Sequence, residues 1–191
     1  MVDNFGDAGV VYRFANECKR ARPHCRVRVF IDDVTTLHCM VPGIDPSKTA
    51  QELDSVAYYS WNAMTEGLVG EGTAEVLVEA FACYLPEPVL EAACRRPTVI
   101  INLEHLSAEP WVEGYHLKES LTGREMLKKY FYMPGFTKET GGVIIGATGN
   151  PPSDAGDRER NAFFGELLGS RGVSAGDVRG ALFGTVFTYL R

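Results

Sequence analysis

At 191 residues, with 45% hydrophobic and 10% aromatic content, the chain is long and apolar enough to bury a core. A net charge of −6 excludes nonspecific nucleic-acid binding and favours a cationic group or a basic partner protein. No apolar run approaches membrane-spanning length, so no membrane contact is expected and the chain reads as soluble.

The opening segment Val2-Asp3-Asn4-Phe5-Gly6-Asp7-Ala8-Gly9 reads as a strand-end loop running into a helix, Val10 to about Ala21. Val10, Val11, Phe14, Ala15 and Cys18 recur at helical spacing and define its expected buried face. A glycine-containing loop at a helix mouth usually attracts phosphate, because free N–H groups and the helix dipole favour anions. This one brings its own negative charge. Asp3 and Asp7, four residues apart, stay ionised there and suit a cationic substrate better. The plainer alternative makes Asp7 a helix cap and Asp3 a turn residue.

Arg26 to Ile31 alternates and then turns apolar, predicting a strand that ends at Asp32-Asp33. Val34 to Met40 predicts a short helix closed by Pro42-Gly43, and Ser55 to Ser60 a second strand. Glu75 to Glu79 predicts a third strand, followed by the small-residue turn Ala80 to Cys83. Pro86 and Pro88 open a helix through about Arg95, since proline is tolerated in a first turn. Pro97 to Asn102 is a continuous β-branched run and predicts a fully buried strand. Strands alternating with helices predict a parallel, Rossmann-like α/β sheet.

The composition changes after Gly146. Residues 147–156 are rich in Gly, Pro, Ser, Asn and Asp and read as a linker, followed by a helix from about Asp157 to Leu168. Residues 181–189 read as a strand. The expected organisation is a domain over 1–146 lacking its first strand, an interdomain linker with a helix over 147–177, and the start of a second domain at 178–191. That reading describes a fragment cut at both ends. Five cysteines, at 18, 25, 39, 83 and 94, show no CxxC or metal-type spacing, which predicts reduced, buried thiols in the cytoplasm. The four histidines form no HExxH or HxH pattern, and Asp32-Asp33 are not a DxD triplet, so no metal is expected.

Four ordered blocks carry a family resemblance. They are residues 2–15, Glu79 to Pro86, Ile101 to Glu113, and Phe131 to Gly142. Together they closely resemble the elongation factor P arginine rhamnosyltransferase (EarP) family over its N-terminal part. The resemblance implies the N-terminal half of a two-domain GT-B glycosyltransferase. Its expected activity is inverting transfer of L-rhamnose from dTDP-β-L-rhamnose to one arginine of elongation factor P, supporting translation of consecutive prolines. It implies Asp3 and Asp7 as the catalytic pair, one as general base and one orienting the guanidinium, with Asp7 the first choice for the base.

Asn4, Phe5 and Gly6 are expected to shape the cleft floor, although Phe5 has an ordinary packing alternative. Glu104, Glu109 and Trp111 would extend the acidic surface toward a basic acceptor, with His105 beside them. Alternatively, Ser107 to Pro110 simply starts a helix. On the donor side the candidates are Gly141, Gly142 and Tyr189, with a tight turn and core packing as their plainer readings. His105 and Pro110 depart from the family pattern, which usually has an aromatic and an acid there. No cofactor is expected. Three other readings stand beside the enzyme: a non-catalytic docking fragment for elongation factor P, a GT-B transferase with another acceptor, which the 101–113 block argues against, and a nucleotide-binding oxidoreductase. The oxidoreductase lacks the required GxGxxG spacing.

Overall fold

The computed structural model describes residues 5–63, 74–124 and 126–144, all within one compact unit, Met1–Ala147. Its order is α1 (Phe5–Ala21), β1 (Val27–Ile31), α2 (Val34–Met40), β2 (Ala50–Leu53), β3 (Val56–Ser60), β4 (Val76–Ala80), α3 (Glu87–Ala93), β5 (Thr98–Leu103), β6 (Glu119–Ser120) and β7 (Leu127–Tyr132). Short 3₁₀ turns span Trp61–Ala63 and Pro110–Gly114. The result is a mixed α/β fold with parallel strands, consistent with a Rossmann-like half.

The strands form two sheets, ordered β1-β3-β2 and β4-β5-β7-β6. β1 pairs with β3 in parallel, and β4, β5 and β7 run parallel to one another. The outer strands β2 and β6 are antiparallel to their neighbours. In the first sheet, α1 packs on β1 and α2. Its core is Ala8, Ala15, Val29, Ile31, Leu37, Ile44, Val56 and Tyr58. The second core gathers Leu77, Val89, Ala93, Ile100 and Leu127, with Phe30 and Trp61 packed against it from the first half.

Local chemistry explains the boundaries. Asp33 caps α2, its carboxylate accepting from the backbone N–H groups of Thr35 and Thr36 and from the Thr36 hydroxyl. Those bonds, the hydroxyl first, hold its pKa below the ordinary carboxylate value. Tyr58 lies buried on β3, stacked on Tyr12, with its oxygen accepting from Asn16 Nδ2 at 3.3 Å. Burial pushes its phenol up to about 12.

Several expectations need correction. The first helix begins at Phe5, so Phe5, Gly6 and Asp7 are helical and not loop. Its core face is Ala8, Val11, Tyr12 and Ala15, while Val10, Phe14 and Cys18 are only half-buried. Tyr12 packs there against Tyr58 of β3, with ring centroids 6.2 Å apart. The five thiols are free, but Cys25 and Cys39 are exposed and the others half-buried. β5 is not buried on both faces: Val99 is 36% exposed, so the strand alternates. Strands β2, β6 and β7 were absent from the sequence reading. The helix expected over 157–168 and the strand expected over 181–189 lie outside the described residues.

Candidate functional site

Glu104 and His105 follow the carboxyl end of β5, and His105 reaches the first turn of α1. There Asp7 sits three residues into the helix, where the dipole favours a carboxylate. His105 Nδ1 lies 3.7 Å from Asp7 Oδ1, an ion pair when the imidazole is protonated. The imidazole stacks on Phe81, with ring centroids 4.3 Å apart and planes within 14°. Glu104 Oε1 accepts a 2.7 Å hydrogen bond from Asn102 Nδ2, which aims the carboxylate off the end of the strand. Asn102 is itself buried, and its Oδ1 is a buried acceptor without a partner among the described residues.

A small cleft of about 120 Å³ lies at this place, lined by Val10, Arg13, Phe81, Glu104, His105 and Leu106, among others. Strand carboxyl ends are where open α/β sheets bind ligands. A larger open groove, about 560 Å³, lies at the amino ends of β1 and β3 against Lys19, His24, Arg26 and Glu52. It is remote from Asp7, and its lining mixes both charges. The smaller cleft is the better candidate.

Of the predicted residues, Asp7 meets His105, and Glu104 lines the cleft beside that histidine. Asp3, Asn4 and Tyr189 lie outside the described residues. Phe5 opens α1 and is 57% exposed, so it does not pack as a core residue. Gly6 lies in the same first turn. Glu109 stands at the N-cap of the 3₁₀ turn Pro110–Gly114 without a side-chain cap hydrogen bond, and its N–H donates to Ser107 Oγ at 3.1 Å, so Ser107 does not cap that turn. Trp111 is exposed and meets Tyr115 edge-on. Among the described residues, no hydrogen bond or ion pair joins Glu109 or Trp111 to Asp7.

Gly141 and Gly142 belong to a tight turn. A Cβ on Gly141 would meet the Tyr132 ring at 2.5 Å, and Gly142 has φ +73°. The Gly141 N–H donates to Met133 O, and Gly142 O accepts from Gly135 N–H. Those backbone groups are engaged within the turn.

Sequence reasoning missed Phe81, Arg13 and Asn102. Asn102 carried a signal, being a polar amide at the end of an otherwise apolar run that only Thr98 also interrupts. Phe81 carried none, because its place follows from a turn with unusual backbone. Nearby, burial pushes the Cys83 thiol up, which argues against a nucleophilic role.

A Rossmann-like half with a carboxylate-lined cleft at its strand ends defines a class shared by many glycosyltransferases. The family described as "Elongation-Factor P (EF-P) rhamnosyltransferase EarP" matches residues 1–189, and the chain belongs to that family. A protein-arginine rhamnosyltransferase of Shewanella oneidensis is 38% identical over 151 residues, covering 75% of this chain and 37% of the relative. One from Pseudomonas putida is 39% identical over 146 residues, with the same coverage. A Neisseria meningitidis relative is 33% identical over 144 residues, covering 75% of this chain and 36% of its own length. The chain thus spans little more than a third of the curated relatives it matches. No helix among the described residues is long and apolar enough to cross a membrane.

Proposed function

We propose that this chain is the acceptor-recognising part of an inverting protein-arginine rhamnosyltransferase that acts on elongation factor P. Its donor on this reading is dTDP-β-L-rhamnose, with no metal or other cofactor, and the setting is cytoplasmic. The observation that carries it is a cleft at the carboxyl end of β5 lined by Glu104 and His105, with Asp7 3.7 Å from that imidazole.

A guanidinium is a poor nucleophile because it stays protonated near neutral pH. Transfer requires one nitrogen to be aimed at the anomeric carbon and to lose a proton as the N–C bond forms. The sugar–diphosphate C–O bond breaks on the opposite face. Asp7 takes the proton, and Asp3 holds the guanidinium fork. Glu104 adds a second negative charge at the cleft mouth, opposing the resident positive charge of Arg13. Asn4, Phe5 and Gly6 are assigned to acceptor contact on this reading, as are Glu109 and Trp111.

On this reading the acceptor domain covers 1–146, and a linker over 147–177 leads to a donor domain beginning at 178. Gly141, Gly142 and Tyr189 would stand on the donor side. The oxidoreductase alternative has no support in the site, because Asp7 and Glu104 repel a pyrophosphate.

The test is calorimetric titration of the 191-residue chain with elongation factor P, then with dTDP-β-L-rhamnose. The expected result is factor binding that Asp7→Ala weakens by about tenfold, from loss of a charged hydrogen bond. In a family member of full length, the same substitution should slow transfer by about 10²–10⁴ while the fold survives. Unchanged factor binding and transfer in the variant defeat the assignment. Factor binding without transfer in any longer form favours docking alone, and NAD binding favours the oxidoreductase.

A further inference from the structure

The turn that follows β4 is strained. Phe81 and Ala82 both have φ +56°, and Tyr84 has φ +38°, a left-handed region that non-glycine residues avoid. Such strain persists only where the surroundings over-determine it. Here three constraints converge. At the start of the turn, the Phe81 N–H donates to Leu103 O at 2.9 Å, tying it to the end of β5. At its far end, the Leu85 N–H donates to Glu79 Oε1 at 3.3 Å. Beneath it, the other oxygen of Glu79 pairs with Lys129 Nζ of β7, fifty residues away in sequence. Glu79 is only 5% exposed, and the Lys129 side chain 20%. One buried carboxylate therefore closes the turn with one oxygen, and Lys129 neutralises it at the other.

We propose that the Glu79–Lys129 pair is a positioning staple: it holds the strained 81–85 turn so that Phe81 presses on His105 and fixes the imidazole beside Asp7. The chain of contacts is continuous. Lys129 neutralises Glu79, Glu79 closes the turn, the turn presents Phe81, and Phe81 stacks on an imidazole 3.7 Å from Asp7. Exposure fits this role. His105 is 64% exposed at its side chain, so the ring needs an external hold to keep one orientation. Neither member of the pair lines the cleft, and on this proposal their effect reaches it through Phe81, which does. The consequence for acceptor binding rests on the functional reading above; the staple itself does not.

The experiment uses the 191-residue chain and reads the His105 ring protons by NMR, with Phe81→Leu setting the value without a stacked ring. Removing one partner alone would strand a buried charge, so both are changed together. Glu79→Leu with Lys129→Met deletes the charges and the acceptor for Leu85, and the His105 signals should move to the Phe81→Leu position. Glu79→Gln with Lys129→Met keeps an oxygen for Leu85 and should return them to the wild-type position. Wild-type signals in the Leu/Met pair, or no recovery in the Gln/Met pair, overturn the staple.

A second measurement needs no variant. The Leu85 amide of the unmodified chain should exchange about tenfold more slowly than an unprotected amide, since its acceptor is buried. Exchange at the unprotected rate overturns the proposal even if the variants do not fold. A staple upheld by NMR in a chain that fails to bind elongation factor P sinks the functional reading and leaves the staple standing.

Discussion

The two sheets of this protein have been built for different purposes. The β1-β3-β2 half closes over eight buried residues, all apolar apart from the Tyr58 hydroxyl. The β4-β5-β7-β6 half contains every buried polar side chain among the described residues: Glu79, Thr98 and Asn102. Buried polar groups cost free energy unless satisfied, and in the second half two of the three sit at or near the site. Thr98 Oγ1 is satisfied by Ala74 O at the far end of β5. Glu79 and Asn102, in register on neighbouring strands, stand beneath the turn and the cleft. The first half supplies stability and a platform for Asp7. The second places chemistry at its strand ends.

The largest expected effect that tests this division is Leu37→Ala. Leu37 is 1% exposed in the first core, so the cavity should cost about 2–5 kcal/mol in urea unfolding. Affinity for elongation factor P should stay unchanged in whatever fraction remains folded. A loss of affinity in folded protein would break the division.

Next in size is Asp33→Ala, which removes the α2 cap and should cost about 1 kcal/mol. The Asp33 pKa is lowered in the folded state, so its stabilisation is fully present above the unfolded value of about 3.9 and fades as pH falls through the lower folded one. The gap between wild type and variant should therefore be constant near neutrality and shrink in acid, as read from urea midpoints across pH. A gap that widens below pH 4 would contradict the cap.

The smallest effect on stability should come from Asn102→Leu. This change removes a buried acceptor that has no partner, so unfolding free energy should move by less than about 1 kcal/mol. It also frees Glu104 from its 2.7 Å tether, and factor affinity should fall severalfold. Lost stability with intact affinity would make Asn102 a core residue and blur the contrast between the halves.

Much of the fold was legible before any coordinates. α2 spans Val34–Met40 as its pattern predicts, because an aspartate cap and a following Pro-Gly mark both ends. The strands β1, β3, β4 and β5 lie within one or two residues of their apolar runs, as short buried strands bounded by turn residues should. Of the site, Asp7 and Glu104 could be named from motif and position. Phe81 could not, since its orientation depends on three residues with positive φ that no propensity announces.

What the amino-acid order determined alone is therefore the class of fold and the family, with Asp7 and Glu104 as candidates, because periodicity and local motifs are written within a few residues of each other. The tertiary structure decided which strands lie at the edges and what the polar interior does. β2, Ala-Gln-Glu-Leu, is too polar to be seen in isolation and exists because β3 offers it an edge. β7 opens Leu-Lys-Lys, which reads as solvent-facing. It nevertheless lies between β5 and β6, because Glu79 neutralises Lys129 from a strand fifty residues earlier. A charge becomes tolerable inside a protein only when its partner arrives, and that arrival is a property of the folded chain.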